Sequence, residues 1–89
     1  MPIVFDPSKD VANVAKHGLS LADAEAFDFA AASVLIDDRR DYGEVRYRAW
    51  SRIGGVGFML VFVQVNDETI RAISFRRAHA KEMRRHGPA

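Results

Sequence analysis

Between Glu44 and Phe75 three strand-like segments follow one another with only turn residues between them, an arrangement that points to an antiparallel meander. Glu44–Arg52 alternates, with Val45, Tyr47 and Ala49 facing one way and Glu44, Arg46, Arg48, Trp50 and Arg52 the other, the period of a half-exposed strand. Gly54-Gly55 with Gly57 turns the chain into Phe58–Val65, apolar almost throughout and therefore a central strand. Asn66-Asp67-Glu68 then returns it into Thr69–Phe75. Upstream, the β-branched run Ser33–Asp37 reads as one more strand, joined to the meander by the charged loop Asp37-Asp38-Arg39-Arg40-Asp41-Tyr42-Gly43.

Helix signals flank the meander. Asp6-Pro7 supplies a capping carboxylate and a proline at the first helical position, where its missing N–H costs nothing. The spacing predicts a helix over Pro7–His17 with Val11, Val14 and Ala15 on its apolar face. Gly18 ends it, and Lys16 and His17 in the last turn suit the dipole. Ser20 and Asp23 make a capping-box pattern for a second helix over Leu21–Phe27, burying Leu21, Ala24 and Phe27. Pro2–Phe5 reads as an edge strand and Ala78–His86 as a basic terminal helix. The expected architecture is α+β, a single domain over residues 1–89. It has an N-terminal strand and two helices, an antiparallel meander of about four strands, and a C-terminal helix. The helices cover one sheet face, while the other displays Arg46, Arg48 and Trp50.

Absence of cysteine excludes a disulfide framework, a thiolate metal site and a cysteine nucleophile. The longest apolar run, Phe58–Val63, falls far short of the roughly 20 residues that span a bilayer, and Met1–Phe5 lacks the pattern of a signal peptide. A cytoplasmic chain with no membrane partner is expected. His17, His79 and His86 are too widely spaced for a zinc site, no glycine-rich loop opens a helix after a strand, and no serine has a nucleophile-elbow context. Neither a metal nor any other cofactor is expected. Asp37-Asp38 reads as a turn or a Mg²⁺ site.

The net charge of +1 conceals a gradient: residues 1–38 carry two lysines against seven acids, whereas residues 70–89 carry six cations against Glu82 alone. A basic end on a near-neutral chain suits a polyanion, or is simply a solvated helix face. Glu44, Arg46 and Arg48 project from one strand face, and Arg71, Arg76 and Arg77 belong to the last strand and its end. Arginine binds phosphate through a planar fork and stays charged at any working pH. In RNA cleavage a carboxylate can take the 2′-hydroxyl proton while guanidinium groups stabilise the phosphorane, without a metal. Glu44 and Arg46 also fit an exposed salt bridge, Trp50 fits either a base-stacking surface or the core, and His17 fits a helix C-terminal charge. On spacing alone the chain is an anion-binding domain.

A family resemblance narrows this. Phe5-Asp6-Pro7-Ser8-Lys9, Asn13 and Lys16-His17-Gly18-Leu19-Ser20 resemble the opening of BrnT-family toxins. Gly43-Glu44-x-Arg46 is similar to the segment before that family's central strands, and Arg71–Ala78 with Lys81-Glu82 is similar to its closing pattern. The chain departs from the pattern in lacking a tryptophan beside Phe5-Asp6 and in having Trp50-Ser51 for an isoleucine–glycine step. The resemblance implies a RelE-like fold, metal-independent endoribonuclease activity that arrests translation and growth, and a BrnA-like antitoxin in a complex of two copies of each. It also implies that operator DNA is contacted only through that antitoxin. With the residue pattern it assigns catalysis to Glu44, Arg46, Arg76 and Arg77, and RNA binding to Lys9, Lys16, His17, Arg48, Arg71 and Lys81. A non-catalytic nucleic-acid- or antitoxin-binding module is the alternative from another class, and a small structural subunit a third.

Overall fold

The hairpin at Gly54-Gly55 organises the sheet. Both glycines have positive φ, 55° and 80°, the conformation that lets a two-residue turn follow the twist of its strands. Ile53 and Val56 face each other across it. The computed structural model describes residues 1–89. Its elements are β1 (Ile3–Val4), α1 (Pro7–His17), a 3₁₀ helix (Leu21–Ala26), β2 (Ser33–Ile36), β3 (Tyr47–Ile53), β4 (Val56–Gln64), β5 (Ile70–Arg77) and α2 (Ala80–His86).

The strands lie in the order β1-β5-β4-β3-β2. β2 to β5 form an antiparallel meander, but the sheet has five strands and is mixed rather than a four-stranded antiparallel one. β1 runs parallel to β5, with Ile3 opposite Ile70 and Val4 opposite Arg71. Parallel pairing needs a long connection, and here it is the whole chain from α1 to β4, in which α1 and the 3₁₀ helix carry the chain from β1 at one sheet edge to β2 at the other. The capping box at Ser20 forms as expected, although the segment it starts is 3₁₀ rather than α.

One sheet face holds the main core. Ala49, Phe58, Leu60, Phe62, Ile70, Ala72 and Phe75 pack under Leu21, Ala24 and Phe27. The opposite face is not open, as the alternation of β3 suggests, but partly roofed by α2. Met83 of α2 packs with Trp50, Met59 and Val61, and Trp50 is buried at 1% exposure. Gly57 lets α2 lie this close, since a Cβ there would overlap the Met83 side chain.

α1 departs most from its pattern. Val11 is 71% exposed and Val14 47%, while the buried residue of the helix is Asn13. β1 covers only the first two residues of β5, so further along that edge the backbone would face open space. Asn13 closes it: its Oδ1 accepts from the Phe75 N–H at 2.9 Å, and its Nδ2 donates to the carbonyl oxygens of Phe75 at 2.9 Å and Leu19 at 2.8 Å. Asp10, one turn earlier, accepts from the Leu21 N–H at 2.7 Å and the Ser20 hydroxyl at 2.9 Å. A polar stripe therefore docks this helix where the apolar one was expected.

A bulge in β5 sets the second face. Ser74 lies opposite Val61 and Ala72 opposite Phe62, leaving Ile73 as an extra residue. Arg71 and Arg76, five residues apart, would fall on opposite faces of a regular strand. The extra residue brings both to the side of Val63 and Met59, which they oppose.

Removing the Asn13 amide should strand a buried donor and two carbonyls. Asn13→Ala is expected to lower unfolding free energy by about 2–4 kcal/mol and the thermal midpoint by roughly 10–20 °C. Asn13→Asp, which sets a carboxylate against two carbonyl oxygens, should do no better. Thermal and urea denaturation of the variants beside the parent chain measure both.

Candidate functional site

α1 ends with Lys16 and His17 pointing along β5 toward Arg76, and this meeting of helix end and strand makes a cleft. A depression of about 250 Å³ is lined by Lys16, His17, Asp37, Arg39, Tyr42, Arg46 and Arg76 over a floor of Met59, Val61, Ile73 and Ser74. A second depression shares Lys16, His17 and Arg76 and adds Arg77, His79 and Glu82. A third shares Arg46 and adds Lys9 and Arg71, beside Asp6. The three join into one basic trough running from Lys9 to Arg77.

Three carboxylates brace its guanidinium groups. Glu44 accepts from Arg46 Nε at 3.0 Å and from Arg71 Nη2 at 2.7 Å. The hydrogen bond from Arg46, then that from Arg71, holds its pKa below the ordinary value, so it is a poor proton acceptor. Asp37 follows β2 directly, has its side chain 1% exposed, and takes Arg39 on both oxygens, Nε at 2.6 Å and Nη2 at 2.7 Å, and the Tyr42 hydroxyl at 3.2 Å. These bonds, led by that from Arg39, draw its pKa down to about 2 against the opposing effect of burial. Glu82 of α2 receives Arg76 on both oxygens, at 2.8 and 2.9 Å, and the Trp50 indole N–H at 3.0 Å. Its pKa is likewise lowered to about 2, chiefly by Arg76.

His17 shifts in the same direction, which for an imidazole favours the uncharged form. Burial, then the charges of Lys16 and Arg76, lower its pKa, so the ring is neutral near pH 7 and can accept a proton. Tyr42 lies under the Arg46 guanidinium, 4.3 Å from ring centre to carbon.

Of the residues singled out in the sequence, Lys9, Lys16, His17, Glu44, Arg46, Arg71, Arg76 and Arg77 gather along the trough. Arg48 and Lys81 do not. They lie in a neighbouring depression beside Trp50, with Arg85 and His86. Arg48 stands over the indole at 5.3 Å, with its Nε buried and unpartnered, 4.0 Å from Asp37. Trp50 offers no stacking surface to a base, because His86 already stacks on it at 4.5 Å. Asp37 serves as an arginine anchor in this arrangement rather than as a plain turn. Its burial beside Arg39 is foreshadowed only by its place at the end of a β-branched run. Nothing in the spacing marks Glu82 as the partner of Trp50 and Arg76, because the contact joins a strand, a strand end and a helix.

An α+β domain carrying a trough of braced arginines beside a histidine has the charge and the planar donor geometry that suit an anionic ligand. Residues 5–82 match the family model described as the ribonuclease toxin, BrnT, of type II toxin–antitoxin systems, and the chain belongs to that family. The ribonuclease toxin BrnT of Brucella abortus, known from a 1.1 Å crystal structure, superposes with a TM-score of 0.67 at 32% identity, over 89% of this chain and 97% of the other. No curated protein sequence matches the chain. Membership of a type II system implies an antitoxin partner. No helix is long and apolar enough to cross a membrane.

The anchoring of Asp37 has a signature in acid. Its folded pKa, about 2, lies below its ordinary 3.8. Ionised Asp37 therefore stabilises the fold above about pH 4, and that contribution fades as pH falls through about 2. Asp37→Asn should cost about 1–3 kcal/mol at neutral pH and flatten the stability loss across that window. Urea midpoints measured from pH 6 down to pH 2 (roughly the span over which carboxylates titrate) should show the parent and variant curves converging in acid.

Proposed function

We propose that the protein is a metal-independent endoribonuclease of RelE-like mechanism that cleaves RNA in the trough between α1 and β5. The observation that carries this reading is the convergence of neutral His17 with Arg46 and Arg76 around one depression. In this reading His17 takes the proton from a 2′-hydroxyl, and the 2′-oxygen attacks the adjacent phosphorus. Arg46 and Arg76 stabilise the charge on the phosphorane. His79, in the depression shared with His17 and Arg76, enters the step as imidazolium and gives its proton to the departing 5′-oxygen, so that His17 ends protonated and His79 neutral. The products are a 2′,3′-cyclic phosphate and a 5′-hydroxyl. Glu44, suggested by the sequence as proton acceptor, fits better as the brace that orients Arg46 and Arg71. Arg77, Lys16, Lys9 and Arg71 hold flanking phosphates, and Arg48 and Lys81 extend the positive surface beyond Glu82. A BrnA-like antitoxin, two copies to two of the toxin, covers the trough and supplies the operator contact. The acidic residues 1–38 of this chain suit a position away from DNA phosphates.

The purified chain incubated with single-stranded RNA in excess EDTA should still cleave it, leaving cyclic phosphate ends. Arg46→Ala and Arg76→Ala should each lower kcat by about 10²-fold or more in a chain that still folds, with the thermal midpoint of Arg76→Ala lowered by loss of its pair with Glu82. The parent rate should fall on the acid side as His17 protonates, with a midpoint below its ordinary 6.5, and His17→Gln should abolish that limb. Dependence on Mg²⁺ or Mn²⁺ would overturn the mechanism, and intact RNA bound by a folded chain would favour the non-catalytic module.

A further inference from the structure

Arg76 has five N–H bonds in one plane, and three of them are engaged. One Nη1–H donates to Glu82 Oε1 at 2.8 Å and the other to the Arg77 carbonyl at 3.1 Å, while one Nη2–H donates to Glu82 Oε2 at 2.9 Å. Glu82 has thus taken the end of the guanidinium formed by its two terminal nitrogens. The two N–H bonds left over, on Nε and on the second position of Nη2, lie side by side along one edge of the plane. Two parallel donors on one edge are the fork that grips two phosphate oxygens at once. Glu82 is in turn fixed from behind: Oε2 also accepts from the buried Trp50 indole at 3.0 Å, and Trp50 is clasped by His86 and Met83.

We propose that Glu82 is a positioning residue for catalysis, a carboxylate on α2 that orients Arg76 so that its Nε/Nη2 edge, rather than its terminal pair, meets the scissile phosphate. The inference rests on the reading of the trough as a ribonuclease site. A carboxylate on a polyanion-binding surface repels the ligand and partly neutralises the arginine it touches. Its presence here therefore works against raw affinity. That gives the two roles opposite signatures. If Glu82 only lowered the charge of the trough, removing its charge would improve both binding and turnover. If it only held α2 in place, its loss would appear as lowered stability.

The test uses the full chain and a fluorescent single-stranded oligoribonucleotide of mixed sequence, with kcat and KM measured separately for the parent, Glu82→Gln, Arg76→Ala and the double variant, each beside its thermal midpoint. Glu82→Gln keeps a carbonyl oxygen for the Trp50 indole but loses the bidentate carboxylate grip. Its kcat should fall at least about tenfold, a barrier change of about 1.4 kcal/mol, while KM stays level or drops. In the background of Arg76→Ala the same change should have no further effect on kcat. Should Glu82→Gln lose its fold, Trp50→Phe serves in its place. It removes the indole donor behind Glu82 while the charge pair remains, and should lower kcat without raising KM. Undiminished kcat in a folded Glu82→Gln or Trp50→Phe variant, with Arg76→Ala inactive, would overturn the positioning role and leave the site reading standing. Full activity of Arg76→Ala would instead remove the site reading itself.

Discussion

The contact on which the rest of the molecule depends is the amide of Asn13 on the backbone of Phe75. β1 is two residues long and reaches only Ile70 and Arg71, so most of β5 would present an unpaired edge beside the core. A helix has no free backbone groups along its length with which to pair a strand, and an apolar helix face would leave the Phe75 N–H and carbonyl unsatisfied. One asparagine provides a donor and an acceptor in the spacing of a strand neighbour. It also fixes where α1 lies along β5, and so where the end of that helix lies. Lys16 and His17 come one turn after Asn13, which sets them beside Arg76. The cleft follows from the docking.

Bringing so many arginines to one surface creates a second problem, solved in the same polar manner. Each guanidinium is costly to immobilise and repels its neighbours. The three carboxylates that brace them, Glu44, Asp37 and Glu82, each accept at least two side-chain donors. Every brace exchanges some net charge for fixed geometry. In the function proposed above, arginines that are partly neutralised but oriented serve to recognise the shape of a phosphodiester rather than to gather any polyanion. Both lysines of the otherwise acidic first 38 residues, Lys9 and Lys16, join the same trough.

Much of the fold is legible in the sequence because its signals are local. The glycine pair at 54–55, the capping box at Ser20 and the proline after Asp6 act within a few residues of themselves, and the structure shows all three in place. What the sequence hides is nonlocal. Val11 and Val14 carry the spacing of a buried stripe yet face outward, because helix docking is decided by the edge of β5, 62 residues away from Asn13. Trp50 sits on the polar side of an alternating strand, and only the return of α2, 32 residues later, makes that side a second small core. The shared face of Arg71 and Arg76 cannot be read from period two, since the bulge at Ile73 has no glycine or proline to announce it. The arginines are visible as a set, and so is the pairing of Glu44 with Arg46, whereas the anchoring of Arg39 by Asp37 and of Arg76 by Glu82 is not.

The same nonlocality explains how so small a domain can carry a built site. At 89 residues little apolar surface is available to spare, and a rigid arrangement of cations would ordinarily require a large supporting core. Here the supports are shared. Trp50 fills the second core and, through its indole N–H, fixes the carboxylate that fixes Arg76. Asn13 satisfies the strand edge and sets the position of His17. Asp37 closes β2 by donating its backbone N–H to the Arg46 carbonyl at 2.7 Å, while its side chain anchors Arg39 and the Tyr42 hydroxyl. Each residue does one thing for the fold and one for the trough, so stability and site geometry are coupled at the level of single side chains. Such coupling leaves the exposed valines of α1 outside both roles and makes Asn13 and Asp37 the positions at which the fold and the trough are lost together.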